Sequence, residues 1–311
     1  MRLRSWAPAV AIAVVMGAPA PAHASEVHIE SIAGASTAGE YVVFTAARGE
    51  RNRVGVRYSG SGRVRVRVQD SAGVRAGDGC RAQSRTVAVC SVRRTEFGDQ
   101  WELGDRDDRL TLDGHPRGPE GPSILDGSGN DVTRGSRGRD TVYDGPGRDR
   151  HAGRGGNDTL FSGSGADDLS GGSGRDTVSY DPPLGTPRRG GVRADLDGRA
   201  DDGSTGERDR IRTDVENLDG SEFGDVLRGN GRANEIDGID GADRIFGFGG
   251  NDLITGDLSD ALVYPGSGAD RVEGGRIVRS RDGSRDRIAS CGLAIADRRD
   301  VVTGCRTVRR G

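Results

Sequence analysis

Residues 126–179 read DGSGNDVTR GSRGRDTVY DGPGRDRHA GRGGNDTLF SGSGADDLS GGSGRDTVS, six rows of nine residues without a gap. Each row has a glycine-rich turn that ends at an aspartate: Asp131, Asp140, Asp149, Asp158, Asp167 and Asp176. Three strand-like residues follow each aspartate, and the middle one is expected to face inward, as at Val142, Leu160, Leu169 and Val178. A fixed period of this kind predicts a solenoid of short strands and tight turns. Thr133 and His151 fill the inward place in two rows, which we expect to pack less well.

Physical chemistry explains why these residue types recur together. Glycine adopts positive φ and lets backbone segments approach closely, so G-x-G favours a tight turn. Aspartate adds a hard anionic oxygen, and calcium takes roughly six to eight oxygen ligands from carboxylates and backbone carbonyls. The chain has 53 glycines and only 32% hydrophobic residues, so little apolar burial opposes the loss of backbone entropy. We therefore expect metal binding to supply folding free energy.

These rows resemble the G-G-x-G-x-D-x-U-x nonapeptide of RTX (hemolysin-type) calcium-binding proteins, and the chain is similar to secreted actinobacterial-type members. The resemblance implies an all-β fold, a parallel β-helix or β-roll in which two nonapeptides make one turn. It also implies several Ca²⁺ ions, bound between rows eighteen residues apart. The implied aspartate ligands are Asp131, Asp140, Asp149, Asp158, Asp167, Asp176, Asp225, Asp243, Asp252 and Asp270. The implied backbone carbonyl ligands are Gly127, Gly129, Gly138, Gly145, Gly147, Gly156, Gly163, Gly165, Gly172 and Gly174.

A second array at 220–273 repeats the pattern less regularly. Its rows are GSEFGDVLR, GNGRANEID, GIDGADRIF, GFGGNDLIT, GDLSDALVY and PGSGADRVE. Asn234 and Ala261 stand where two aspartates belong, but the apolar ladder continues through both rows. We therefore expect the coil to persist even where a calcium site is missing.

Two polar features allow more than one interpretation. The insert at 180–219 contains Asp201, Asp202, Glu207 and Asp209, which could hold another cation or form a solvated acidic turn. His151 could ligate a metal, although a histidine tolerated near the edge of the coil is the favoured interpretation.

Residues 1–24 have the features of a secretory signal peptide. Arg2 and Arg4 precede a short apolar run, and the AHA segment at 22–24 fits the cleavage rule, with Ser25 as the first mature residue. The apolar run is too short for a membrane span, and a retained N-terminal anchor is the alternative. We expect a secreted, extracellular protein.

The remaining segments divide the chain around the two arrays. Residues 25–112 are predicted to form a small β-sandwich-like N-terminal module that ends in degenerate lead-in rows. In its RVRVRV segment, Val64, Val66 and Val68 are expected to face a core. A Pro/Gly linker is predicted at 113–125 and a degenerate C-terminal cap at 274–311.

The four cysteines, Cys80, Cys90, Cys291 and Cys305, form two pairs that are close in sequence. Because no C-x-x-C motif is present, a zinc site is not favoured. We expect the local disulfides Cys80–Cys90 and Cys291–Cys305, in keeping with export.

The motifs favour a binding protein over an enzyme. H-E-x-x-H, G-x-S-x-G and P-loop sequences are absent, so no catalytic residue is predicted. The net charge of −3 does not suggest a nucleic-acid partner, and membrane insertion is not expected. We expect a calcium-binding structural protein that folds on binding calcium. The alternative is a calcium-scaffolded adhesin or carbohydrate-binding protein whose partner is a cell-wall or extracellular polysaccharide. An extracellular hydrolase or epimerase with an unrecognised catalytic module is less favoured.

Overall fold

A computed structural model describes residues 25–31, 40–59, 63–93, 98–114, 121–181, 188–256 and 260–311. The expected signal peptide at 1–24 lies outside these ranges. Every regular element within them is a β-strand, so none of the described segments is a helix long and apolar enough to cross a bilayer.

The N-terminal module has seven strands: β1 Ser25–Ser31, β2 Glu40–Thr45, β3 Arg53–Ser59, β4 Arg63–Asp70, β5 Val74–Ala76, β6 Cys80–Ser84 and β7 Val87–Arg93. Alternation along β4 buries Val64, Val66 and Val68 and exposes Arg65, as a period of two requires for a strand with one face on a core. The prediction made from RVRVRV is confirmed.

The rows that follow form a coil of very short strands. The lead-in rows and first array contain β8 Gln100–Glu102, β9 Arg109–Asp113, β10 Ser123–Leu125, β11 Val132–Arg134, β12 Thr141–Tyr143, β13 Pro146–Gly147, β14 Arg150–Gly155, β15 Thr159–Phe161, β16 Ser164–Gly165, β17 Asp168–Ser173 and β18 Thr177–Ser179. The insert contributes β19 Arg193–Asp195, β20 Ala200–Asp202 and β21 Asp209–Ile211.

The second array and C-terminal segment contain β22 Asn217–Asp219, β23 Val226–Arg228, β24 Glu235–Asp237, β25 Arg244–Phe246, β26 Leu253–Thr255, β27 Leu262–Tyr264, β28 Arg271–Glu273, β29 Ile277–Ser280, β30 Arg287–Ala289, β31 Leu293–Ala296, β32 Val301–Thr303 and β33 Thr307–Arg310. The final strands follow one another at shorter intervals, since Arg271 pairs with Arg287 and Arg287 with Val301. The segment predicted as a cap therefore continues the coil.

Pairing in the arrays is parallel and keeps the eighteen-residue register. Val142 lies beside Leu160, and Leu160 beside Val178. The predicted all-β parallel coil is thus confirmed.

Two sheets face each other across the coil. One, here called sheet A, runs from β8 through β10, β12, β15, β18 and β22 to β32. The opposite side is formed in the first array by sheet B, which includes β9, β11, β14, β17 and β21. In the second array it is formed by sheet C, which runs from β19 and β23 to β33.

The N-terminal module extends both sides of the coil. β2 pairs in parallel with β8, and β3 pairs in parallel with β9. Phe44 and Trp101 meet at this junction with ring centroids 6.1 Å apart. The lead-in rows are therefore true coil rows, and β10 lies inside the segment predicted as a linker.

The middle residue of each short strand points into the coil. Val142, Leu160, Leu169 and Val178 are at most 1% exposed, which confirms the predicted inward ladder. Thr133 and His151 are also buried in that ladder, at 1% and 2% exposed. The two predicted local disulfides are both present, Cys80–Cys90 between β6 and β7 and Cys291–Cys305 in the last coil rows.

Candidate metal centre

The turns of the coil stack into two edges. The first edge consists of the turns that enter sheets B and C, and it carries Asp131, Asp149 and Asp167. The backbone N–H of Asp131 donates to Asp149 Oδ1 at 2.6 Å, and the N–H of Asp149 donates to Asp167 Oδ1 at 2.9 Å. Each aspartate thus fixes the preceding turn of the column through one carboxylate oxygen.

This column on the first edge extends beyond the nonapeptide period at both ends. The N–H of Asp108 donates to Asp131 Oδ1 at 2.6 Å, and the N–H of Asp167 donates to Asp209 Oδ1 at 3.1 Å. Asp209 lies 42 residues after Asp167, so fixed spacing could not place it there. The insert therefore returns the chain to the column that it interrupts.

The second edge consists of the turns that enter sheet A, and it repeats this arrangement. The N–H groups of Asp140 and Asp158 donate to Oδ1 of Asp158 and Asp176, both at 2.8 Å. The N–H of Asp176 then donates to Glu216 Oε2 at 3.0 Å. A glutamate from the insert thus takes the place of the next aspartate.

The second array continues both edges. On the first edge, the N–H of Asp225 donates to Asp243 Oδ1 at 2.9 Å. On the second edge, the backbone N–H of Asn234 donates to Asp252 Oδ1 at 2.9 Å, and the backbone N–H of Asp252 donates to Asp270 Oδ1 at 2.8 Å. That column goes on through two aspartates outside the predicted set, Asp286 and Asp300.

The other carboxylate oxygen of most of these aspartates is buried and accepts no hydrogen bond from the described residues. Eight of the ten predicted ligands share this feature at Oδ2: Asp131, Asp149, Asp158, Asp167, Asp176, Asp243, Asp252 and Asp270. Asp108 shares it as well. A buried anionic oxygen without a partner costs free energy, so these columns require a positive charge or a proton.

The pKa values of the carboxyl groups show that the columns require a positive charge or a proton. Burial, together with a smaller contribution from neighbouring aspartates, raises the pKa of Asp149 and of Asp158 to about 8 each. Burial likewise raises the pKa of Asp243 and of Asp252 to about 7. Without a cation, these groups hold protons close to neutral pH.

Glycine leaves room for oxygen atoms to converge beside the unpartnered carboxylate. A methyl group added to Gly147 would collide with the carbonyl oxygen of Gly129 and lie 2.9 Å from Asp149 Oδ2. On the second edge, one added to Gly153 would collide with Asp158 Oδ2 and lie 2.7 Å from the carbonyl oxygen of Gly171. Backbone carbonyl and carboxylate oxygens from adjacent rows therefore surround the same small spaces.

The predicted carbonyl ligands belong to these stacked turns. On the first edge, methyl groups on Gly145 and Gly163 would collide with the carbonyl oxygens of Gly127 and Gly145, and one on Gly165 with that of Gly147. The predicted glycines on the second edge stack in the same way: Gly138, Gly156, Gly172 and Gly174. An all-oxygen donor set with one carboxylate per row fits Ca²⁺, which accepts irregular geometry from such ligands.

Asp140 and Asp225 differ from the other predicted ligands. Ser136 donates its N–H to Asp140 Oδ2 at 2.6 Å and its hydroxyl to Oδ1 at 2.8 Å. Ser221 makes the same two bonds to Asp225, at 2.6 and 2.9 Å. Protein donors thus satisfy both carboxylates, and their assignment as calcium ligands stays a prediction. The GS at the start of both rows is the signal that distinguishes them.

An additional carboxylate lies beside the first edge. Asp144 occupies the first place of its row, and one of its oxygens lies within 4.8 Å of oxygens of Asp149 and Asp167. Asp144 lies outside the predicted ligands of the arrays, all of whose aspartates occupy the sixth place of a row. Three carboxylates therefore lie close together at this point of the edge.

His151 lies inside the coil, between two such first-place aspartates. Its Nδ1 is 3.3 Å from Asp126 Oδ2, and its Nε2 is 3.2 Å from Asp144 Oδ1. The imidazole is therefore held by buried carboxylates, which explains why an inward histidine is tolerated. His151 is only 2% exposed, and its ligand atom lies within 4.8 Å of oxygens of Asp126 and Asp144, so a role as a metal ligand stays a prediction.

The acidic residues of the insert have separate roles. Asp202 accepts hydrogen bonds from the N–H groups of Asp195 and Ile211, at 2.8 and 3.1 Å. Glu207 forms an ion pair with Arg188 at 3.1 Å. Asp201 groups with Asp195 and with one further aspartate, Asp197, rather than with the acidic residues that follow it.

Arg188 connects the insert to the first edge. Its guanidinium group donates to the carbonyl oxygens of Ser162 and Gly163 at 2.9 and 2.8 Å. Arg154 does the same on the second edge, donating to the carbonyl oxygens of Leu112 and Gly135 at 2.9 and 3.1 Å. Arginine therefore supplies positive charge to turn carbonyls at particular rows.

Comparison with known families agrees with this geometry. The sequence model of the RTX calcium-binding nonapeptide repeat matches at 125–158, 145–178, 219–254 and 228–261. These four matches fall on the two arrays whose turns form the aspartate columns. No curated protein matches the chain. The two arrays are therefore RTX calcium-binding nonapeptide repeats.

Proposed function

We propose that this is a secreted structural protein whose coil folds as Ca²⁺ ions bind between successive turns. The observation that carries the proposal is the set of buried Oδ2 atoms that accept no hydrogen bond. Each lies at a turn where backbone carbonyl oxygens of adjacent rows also converge. A divalent cation would neutralise the carboxylates and use those carbonyls as further ligands.

The charge of the columns explains why folding depends on the ion. At neutral pH the calcium-free coil holds rows of carboxylates whose pKa is raised by burial. An unfolded chain solvates those charges, so ionisation favours unfolding. Calcium reverses the balance because the complete site exists only in the folded coil.

The test is a calcium titration of the chain that starts at Ser25, prepared metal-free. We expect β structure in the circular dichroism spectrum to appear with calcium at about 10⁻⁴–10⁻³ M and to disappear with a chelator. Magnesium should be a poor substitute, because it demands near-octahedral geometry and keeps its waters. Identical spectra with and without calcium would contradict the proposal.

The proposed location and the absence of catalysis rest on the sequence. The features of residues 1–24 support export, and N-terminal sequencing of the protein recovered from culture medium should begin at Ser25. The absence of recognised catalytic motifs supports a structural role. Protein that stays in the cell with Met1 retained would contradict export.

A carbohydrate-binding role is the second candidate, because aromatic rings stack on the outside of the coil. Tyr143 and Phe161 stack at 4.9 Å on sheet A, and Phe246 and Tyr264 stack at 4.9 Å on sheet C. In both pairs the parallel register brings together rings that are eighteen residues apart in the sequence.

A further inference from the structure

The two outer faces of the second array differ in charge. The strands of sheet C from β23 to β33 contain no acidic residue, and their outward positions include Arg228, Arg244, Arg279 and Arg309. The one acidic residue in the strands of sheet C is Asp195 of β19, which lies beside Arg228. The strands of sheet A on the opposite side, from β22 to β32, carry four acidic residues, Asp219, Glu235, Asp237 and Glu273, against two arginines, Arg271 and Arg287. In a chain with net charge −3, one side of the array is therefore basic.

An arginine–aromatic ladder crosses this basic face, formed by Arg228, Phe246, Tyr264 and Arg279 on four adjacent strands. The Arg228 guanidinium lies 5.3 Å from the Phe246 ring centroid. Phe246 and Tyr264 are stacked with 9° between their planes. The Arg279 guanidinium lies 5.6 Å from the Tyr264 centroid. The parallel register produces this order, because equivalent positions of successive strands lie side by side.

The ladder presents positive electrostatic potential to solvent. The ring faces, where the quadrupole is negative, are occupied by the other ring or by a guanidinium, so the electropositive ring edges remain outward. Arg228 Nη1 is buried and donates no hydrogen bond to the described residues. Phe248 lies 6.2 Å from Phe246 and is 53% exposed, which provides a free aromatic surface beside the ladder.

We infer that this face binds an extended anionic polysaccharide laid along the coil axis. Arg228 and Arg279 are three strands apart, about 14 Å at the usual spacing between strands, so one chain can contact both. Guanidinium groups pair with carboxylate or sulfate, and the exposed Phe248 ring offers a surface for the apolar face of a sugar.

Among polyanions, the observations favour a polysaccharide. The face is the flat side of a rigid coil and offers stacking as well as charge. The inference rests on the proposed function for the calcium-built coil and for export to the compartment where polysaccharides occur. It does not require a calcium ion at the face itself.

The test compares two double variants of the chain that starts at Ser25, in saturating calcium. Arg228→Ser/Arg279→Ser removes both guanidinium groups of the ladder. Arg271→Ser/Arg287→Ser is the matched control, because it likewise removes one arginine of the second array and one of the C-terminal rows, here from outward positions of sheet A. Binding to immobilised hyaluronan, dextran sulfate and unsubstituted dextran is measured at two salt concentrations. Double-stranded DNA and anionic lipid vesicles serve as competitors.

We expect the unaltered protein to bind hyaluronan or dextran sulfate, with weaker binding at high salt and none to unsubstituted dextran. Binding to hyaluronan alone identifies carboxylate as the recognised group, and binding to dextran sulfate alone identifies sulfate. The ladder variant should bind about tenfold or more weakly, since two charge-assisted contacts are lost, and the control within about twofold. Equal losses in both variants, or tighter binding to DNA or vesicles than to either glycan, would overturn the inference.

Calcium stoichiometry, measured on the same samples, separates this inference from the proposed function. Unchanged calcium binding together with no glycan binding would refute polysaccharide binding at this face and leave the proposed calcium-dependent folding of the coil intact. If the double variant does not fold, Arg244→Glu tests the same face at an exposed position of β25, with the same expected direction.

Discussion

Substitution of Asp149 by asparagine should have opposite effects on stability with and without calcium. Asp149 Oδ1 accepts the N–H of Asp131 at 2.6 Å, a bond that an amide oxygen can replace. Its Oδ2 accepts no hydrogen bond from the described residues, and that oxygen is the one lost. The chain already accommodates such an amide at Asn234, which donates to the carbonyl oxygen of Glu216 at 2.8 Å. The change therefore removes charge with little change of shape.

The magnitudes follow from the raised pKa. Burial raises the pKa of Asp149 to about 8, against about 3.9 in an unfolded chain. At pH 7, ionisation then costs the calcium-free fold at most about 4 kcal/mol, and screening by solvent at the edge reduces this to about 2 kcal/mol. Asp149→Asn should stabilise the calcium-free fold by that amount. With calcium about a hundredfold above its Kd, each ion that the variant fails to bind lowers the free energy of unfolding by about 2.7 kcal/mol. After the gain from the removed charge is subtracted, Asp149→Asn should lower the free energy of unfolding in calcium by about 1–3 kcal/mol.

The assay is denaturant unfolding at pH 7 in chelator and in saturating calcium, with calorimetry for the number of bound ions. Asp107→Asn is the control, since Asp107 is exposed on the same edge and lies outside the column. It should leave calcium stoichiometry unchanged. Equal destabilisation of Asp149→Asn in both conditions would refute the reasoning, because it would reduce Asp149 to a hydrogen-bond acceptor.

Four further outcomes are expected. Because burial raises the pKa of Asp140, Asp149 and Asp158 to about 7–8, the stability of the calcium-free coil should be greatest below about pH 4. It should fall as pH rises from about 4 to about 8, and a melting temperature in chelator that rises over this range would contradict the sign. Asp149→Ala should lose more bound calcium than Asp225→Ala, whose carboxylate Ser221 already satisfies, and calorimetric titrations with equal losses would oppose this order. Gly165→Ala should destabilise the coil by about 1–3 kcal/mol or more because its methyl would collide with the carbonyl of Gly147, whereas Gly231→Ala meets nothing within 4 Å and should be tolerated. Reduction of Cys80–Cys90 and Cys291–Cys305 should lower the melting temperature while calcium stoichiometry holds, and a parallel loss of calcium would link the sites to the disulfides.

The periodic part of the structure could be predicted from the sequence, because local spacing determines it. Parallel strands with an eighteen-residue register place Val142 over Leu160, and the same register places Asp149 beneath Asp131. The disulfides were predictable for a similar reason, since both connect cysteines close in sequence.

The non-periodic contacts could not be predicted, because they depend on where the insert returns to the coil. Asp209 takes the next place in the column of the first edge, 42 residues after Asp167. Glu216 takes the next place in the column of the second edge, 40 residues after Asp176. Asp144 escaped notice, and the contacts of His151 could not be foreseen, for another reason. They occupy row positions that the repeat assigns to glycine and to an apolar residue, and their mutual contact is visible only in the folded coil.

A crystal structure of the calcium-loaded chain, with anomalous scattering used to locate the metal, tests the calcium columns most directly. The account predicts anomalous peaks beside Oδ2 of Asp131, Asp149 and Asp167, with successive ions about 4.8 Å apart along the first edge. A second series should lie beside Asp158 and Asp176. An ordered coil with the same strand register and no peak at these oxygens would contradict the central claim.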